Sequence, residues 1–190
     1  MRILFSVLIV VLIASLGVVF YQWQQTQNSA EAYGVPFELV DGKGEKITQE
    51  AFQGHPSALF FGFTNCPEIC PTTLYEMNGW LEALGEDGEE IEAFFITVDP
   101  ERDTPELLND YVSSVTDRVT AITGDPDKVR AMASGYGIYY KRQELEDGDY
   151  TMDHTASVFL LDSNGDFRST IAWGENSETA IEKLRNLAGS

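Results

Sequence analysis

The sequence predicts an α/β sandwich with a mixed central sheet, preceded by one N-terminal transmembrane helix. Three observations carry this. Nearly continuous apolar runs at residues 57–63 (SALFFGF), 91–98 (IEAFFITV) and 156–161 (ASVFLL) have the composition of strands buried on both faces. Between them lie segments whose apolar residues recur at helical spacing. Hairpin signals stand near both ends of this alternation and add antiparallel strands to a parallel core.

The elements follow in chain order. Residues 3–20 (ILFSVLIVVLIASLGVVF) carry no charge and end beside Tyr21 and Trp23, aromatic residues suited to a membrane interface. A spanning helix needs ~20 mainly apolar residues and a cleaved signal core only ~7–15, so this run reads as a retained anchor. Arg2 flanks one side, and no Lys or Arg follows until Lys43, which places the bulk of the chain outside the cytoplasm. A single-pass protein of the bacterial inner membrane, facing the oxidising periplasm, is the expectation. The domain plan is an anchor at 1–23, a polar linker at 24–33 and a folded domain at 34–190.

Within that domain, residues 35–40 form a first strand, and Asp41-Gly42-Lys43-Gly44 turns it into a second around 45–47. Thr48 caps a short helix through Phe52. After the first buried run, Leu74, Met77, Leu81 and Leu84 mark a helix over 72–84, closed by Gly85. After the second, Thr104-Pro105 opens another helix, with Thr as N-cap and Pro in the first turn. A strand at 119–122 and a helix started by Asp125-Pro126 come next. Residues 137–141 and 150–152 flank an acidic turn, and the third buried run leads through Ser163-Asn164-Gly165 into a strand at 167–172. Asn176 or Ser177 caps the last helix.

The formal charge is −19, and the chain beyond position 30 holds 11 basic against 31 acidic residues. Such a surface repels nucleic acid and anionic lipid head groups. The carboxylates are dispersed along the chain and read mainly as a solvated acidic face.

Cys66 and Cys70, in FGFTNCPEICPTTL, are the only two cysteines and stand where a buried strand hands over to a helix. A disulfide across so short a loop removes little chain entropy, and a domain of this size has no need of a staple. A redox-active or metal-binding pair is therefore favoured. Pro71 is expected to bias Cys70 away from helical geometry, leaving an irregular loop with regular helix only beyond it. The free N–H groups of the first helical turn would stabilise thiolate.

A third donor separates the two chemistries. His55 lies in the loop before the buried strand, at the opposite end from the thiols, and reads as an ordinary surface histidine. His154, just before the third buried run and beside Asp153, is either a loop histidine without a role or the third ligand. Two soft thiolates with one imidazole form a set that suits Cu(I), whereas structural zinc sites normally use four ligands.

Four segments together, FGFTNCPEICPTTL, VDPERDTPE, YGIYYK and DYTMDHTASVFLLD, resemble the Sco/SenC family in order and separation across residues ~35–188. The resemblance implies a thioredoxin-like three-layer sandwich on a membrane anchor. It implies copper, Cu(I) or Cu(II), held by Cys66, Cys70 and His154. It further implies delivery to the copper-bearing subunit of cytochrome c oxidase during assembly, or exchange with other copper chaperones. Many members have a histidine where this chain has Asn65, a position outside the ligand set.

The same resemblance leaves room for a thiol–disulfide oxidoreductase that keeps a partner's cysteines reduced, with Cys66 attacking and Cys70 resolving. A copper or redox sensor is a third reading. A peroxidase is disfavoured, because Phe63 stands where a Thr-x-x-Cys motif needs threonine. Asp99 and Asp153 are candidates for orienting a ligand or for capping backbone.

Overall fold

The computed structural model describes residues 34–189, together with Ser15 and Gly17. The expected anchor and linker lie outside the described residues, among which no helix is long and apolar enough to cross a membrane. The chain divides into two units, Met1–Tyr33 and Gly34–Ser190, and the second carries the fold.

β1 (Glu38–Asp41) and β2 (Lys46–Thr48) pair antiparallel. Their turn is set by the Asp41 carboxylate, which accepts the N–H groups of Lys43 and Glu45 at 2.9 and 2.8 Å. Thr48 caps a 3-10 turn over Gln49–Phe52, which drives Phe52 into the core. β3 (Ser57–Gly62) is buried along its whole length, as its unbroken apolar run requires.

α1 (Ile69–Leu84) buries Leu74, Met77, Leu81 and Leu84 on one stripe and ends at Gly85, whose φ of 61° favours glycine. A one-turn helix, α2 (Glu86–Glu89), precedes β4 (Glu92–Thr97). α3 (Pro105–Ser113) is capped by Thr104 and α4 (Pro126–Gly135) by Asp125, each with proline in its first turn. β5 (Val119–Thr123) lies between them. β6 (Tyr140–Glu144) and β7 (Tyr150–His154) form a hairpin, and β8 (Ser157–Leu161), β9 (Phe167–Ala172) and α5 (Ser177–Ala188) complete the unit.

The main sheet has seven strands in the order β2-β1-β5-β4-β3-β8-β9, with β3, β4 and β5 parallel and the outer pairings antiparallel. This is the mixed sheet the sequence implies. On one face Phe60 and Phe95 pack together and meet Tyr111 of α3. On the other, Phe94 meets Phe52 and Phe61 meets Tyr136 at the end of α4. Helices thus cover both faces, and the thioredoxin-like α/β architecture stands.

One expectation needs correction. The helix does not wait until after Pro71: it begins at Ile69 and includes Cys70. Proline is tolerated there because a first-turn N–H has no intrahelical acceptor to lose. The hairpin around the acidic turn stands apart from the main sheet. β6 and β7 form a separate two-stranded sheet, with Tyr140 opposite His154.

Candidate metal centre

β3 ends at Gly62, and the chain then runs through Phe63 and Thr64 to Cys66 before α1 begins. Cys66 is partly exposed and Cys70 fully buried, and neither is in a disulfide. The backbone N–H of Cys70 points back to Cys66 Sγ at 3.4 Å, the first-turn geometry that favours thiolate.

His154 arrives from the end of β7. Its Nε2 lies 3.5 Å from Cys70 Sγ, while its Nδ1 lies 3.0 Å from the Thr155 carbonyl oxygen. A carbonyl only accepts, so Nδ1 carries the proton in the neutral ring and Nε2 keeps a lone pair aimed at the sulfurs. The rings of Phe63 and Phe60 stand edge-on to the imidazole at 5.7 and 6.2 Å. The donor atoms of Cys66, Cys70 and His154 all lie within 4.8 Å of one another, a group able to hold a metal ion.

The two thiols differ sharply. Cys66 is pulled down to about 3 chiefly by the Cys70 thiol donating to it, with the N–H groups of Cys70 and Glu68 adding to this and burial opposing it. Cys70 moves up, because the neighbouring Cys66 thiolate holds its proton and burial disfavours a second charge. One proton is therefore shared across a thiol–thiolate pair, with the charge on the more exposed sulfur.

Two further features shape the cysteine side, and neither was singled out from the sequence. A Cβ at Gly62 would stand 2.9 Å from Cys70 Sγ and 2.8 Å from the Phe95 ring, so only glycine leaves room for the sulfur. Asp103, buried at the start of the α3 segment, accepts from Thr64 Oγ1 at 2.5 Å, from Thr64 N–H at 3.2 Å and from Thr97 Oγ1 at 2.6 Å. It ties the loop before Cys66 to the end of β4. Burial raises its pKa, while the Thr64 and Thr97 bonds oppose the rise. The acid was visible within VDPERDTPE, but nothing in the spacing distinguishes a buried clamp from a solvated carboxylate.

Asp99 is 3% exposed and holds two partners, Arg102 and Tyr150, while its carbonyl accepts the N–H groups of Arg102 and Asp103. It is a turn residue and a side-chain anchor at once. Asp153 is exposed, on the opposite face of β7 from His154 by strand alternation, so it does not enter the site. His55 does not reach the thiols. Its Nδ1 lies 3.3 Å from Ser57 Oγ and its Nε2 3.7 Å from the Glu92 carboxylate, at the other end of β3.

This arrangement has known relatives. The profile of the SCO1/SenC family matches residues 25–189. The SCO2-like protein of Rickettsia prowazekii is 34% identical over 155 residues, covering 80% of this chain and 76% of that one. Among solved structures, Bradyrhizobium japonicum ScoI with copper bound superposes with a TM-score of 0.76 at 40% identity, over 82% of this chain and 99% of that one. Yeast Sco1 with copper bound gives 0.76 at 31% identity, over 84% and 90%. With its fold, its ordered motifs and its paired thiols facing one imidazole, the chain belongs to the SCO1/SenC family.

Proposed function

We propose that the domain is a copper metallochaperone that holds copper through Cys66, Cys70 and His154 and delivers it to the copper centre of cytochrome c oxidase during assembly. The observation that carries this is the convergence of three donors, 84 residues apart in chain at the longest separation of a direct contact, within 4.8 Å. Two thiolates and a neutral imidazole form a soft set suited to copper. The family resemblance points to the oxidase as acceptor, and the uncharged apolar run at residues 3–20 with Arg2 before it supports a bacterial inner-membrane anchor with the domain in the periplasm.

Handover follows from the unequal ligands. Cys66, partly exposed and anionic, is the sulfur an incoming partner thiol reaches, while Cys70 stays buried under Phe95 and Gly62. Ligand exchange then displaces the protein's donors one at a time. His154→Ala tests the reading by competition for Cu(I) against a chromophoric chelator. A loss of ~10-fold or more in affinity is expected, and unchanged affinity together with an unchanged dithiol potential would sink it.

The thiol asymmetry also favours a second reading, a thiol–disulfide oxidoreductase acting on the cysteines of the same partner. Cys66 would attack and Cys70 resolve, as their exposure and charge dictate. Dithiol exchange does not require the imidazole. A His154→Ala protein that keeps reductase activity while losing copper separates the two roles.

A further inference from the structure

The hairpin that carries His154 shares no ladder with the seven-stranded sheet, so its placement depends on something else. At its far end from His154, Tyr150 is gripped by the segment after β4. The Tyr150 hydroxyl donates to Asp99 Oδ1 at 2.9 Å. Arg102 donates through Nε to Asp99 Oδ2 at 2.5 Å and through Nη1 to the Tyr150 carbonyl at 2.9 Å and to Asp149 at 3.3 Å. The guanidiniums of Arg102 and Arg142 lie over the Tyr150 ring at 3.7 and 3.6 Å. A buried carboxylate, a forked cation and a ring stacked against two cations hold one residue at the start of β7.

Strand geometry transmits that grip. Tyr150, Met152 and His154 alternate onto one face of β7. At its other end β7 passes through Thr155, whose N–H donates to the Tyr139 carbonyl at 2.9 Å, and on into β8. One end is fixed covalently to the main sheet and Tyr140 and Met152 pack against the core, so what remains to set the tilt of the strand is the hold on its far end. We propose that Asp99, Arg102 and Tyr150 form a latch that positions His154 against Cys66 and Cys70, and so governs whether the imidazole takes part in holding copper. The three are positioning residues and need not touch the metal. This inference rests on the proposal that His154 is a ligand.

Tyr150→Phe in the full chain is the first test, because it removes one hydroxyl and keeps the ring and its stacking. In metal-free protein, the imidazole resonances of His154 report its place between the rings of Phe60 and Phe63 without reference to copper. The latch predicts that they shift and broaden, and wild-type resonances would overturn it. In Cu(I) competition, Tyr150→Phe is expected to weaken binding by ~10-fold in the wild-type background and to add nothing to His154→Ala. An equal loss in both backgrounds overturns the proposal, since the hydroxyl would then act on the site by another route. Arg102→Lys keeps the charge but loses the fork, and is expected to reproduce the Tyr150→Phe spectrum; a wild-type spectrum from it counts against the latch. Should His154→Ala leave copper affinity intact, the ligand reading fails by itself, and the metal-free resonances still decide the latch.

Discussion

Cys66 and Cys70 hang from an interior strand of a seven-stranded sheet and from the helix that follows it, whereas His154 hangs from a two-stranded hairpin beside that sheet. The cysteine arm is fixed by apolar packing and backbone ladders: β3 is buried throughout and pairs on both edges. The histidine arm also rests Tyr140 and Met152 on the core, but its far end is held by polar side chains at Asp99, Arg102 and Tyr150. Packing is stiff and collective, while a few hydrogen bonds can open locally at small cost. On the proposed function, a site that retains and then releases an ion gains from having its donors held by such different means. The thiols share one stiff element, while the imidazole depends on the more easily opened hold.

That contrast is broken most directly at Asp103, a polar clamp on the cysteine arm. Asp103→Ala strands the Thr64 and Thr97 hydroxyls and the Thr64 N–H next to the site. Unsatisfied buried groups cost ~1–3 kcal/mol each, so a loss of about 3 kcal/mol is expected in urea unfolding of the reduced protein. If the loss is below ~1 kcal/mol, the loop before Cys66 is held by packing alone, and the cysteine arm is even less dependent on polar contacts than drawn here.

Gly62 tests the packing half of the comparison. Gly62→Ala drives a methyl group against Cys70 Sγ and the Phe95 ring. Overpacking of this kind costs ~1–3 kcal/mol, and about 2 kcal/mol is expected here. Displacement of the buried sulfur should also raise alkylation of Cys70 in the folded, metal-free protein. Wild-type protection of Cys70 would show that the arm yields more readily than a close-packed core should.

The cysteine arm was largely legible in the sequence, and the histidine arm was not. Unbroken apolar runs announce strands such as β3 and β4 because burial on both faces leaves no polar positions. The Thr104 and Asp125 caps likewise announce α3 and α4 through local chemistry. Cys66 and Cys70 are four residues apart, so a single turn brings them together. His154 is 84 residues from Cys70, and its approach depends on a hairpin whose strands are half polar and whose anchoring partners are themselves distant in sequence. The Tyr150–Asp99 bond spans 51 residues, and no periodicity encodes such a pair. Family resemblance named the histidine, but only coordinates show what holds it. Pro71 shows the same limit of local signals: its preference is outweighed by the helix already under way from Ile69.

The smallest expected effect concerns the charge on the cysteine arm. Cys66 lies at about 3 in the fold, below the ordinary thiol value of 9.0, so its contribution to stability is full above 9.0 and is lost as pH falls toward 3. Cys70 lies above that value, so its contribution is full below 9.0 and is lost as pH rises beyond it. Between these limits the folded protein binds fewer protons than the unfolded chain, by at most one, and by less where solvent screening moves the Cys66 value back towards 9.0. Stability of the reduced, metal-free protein should therefore climb from pH 5 to pH 8 relative to Cys66→Ala, in which the rising limb is absent. The slope stays well under the one-proton limit of about 1.4 kcal/mol per pH unit, because solvent screens a partly exposed thiolate. Denaturant midpoints for the two proteins across that range measure it. Parallel pH profiles would mean that the charge is not fixed on Cys66, and that the sulfur offered to a partner is no more activated than its buried neighbour.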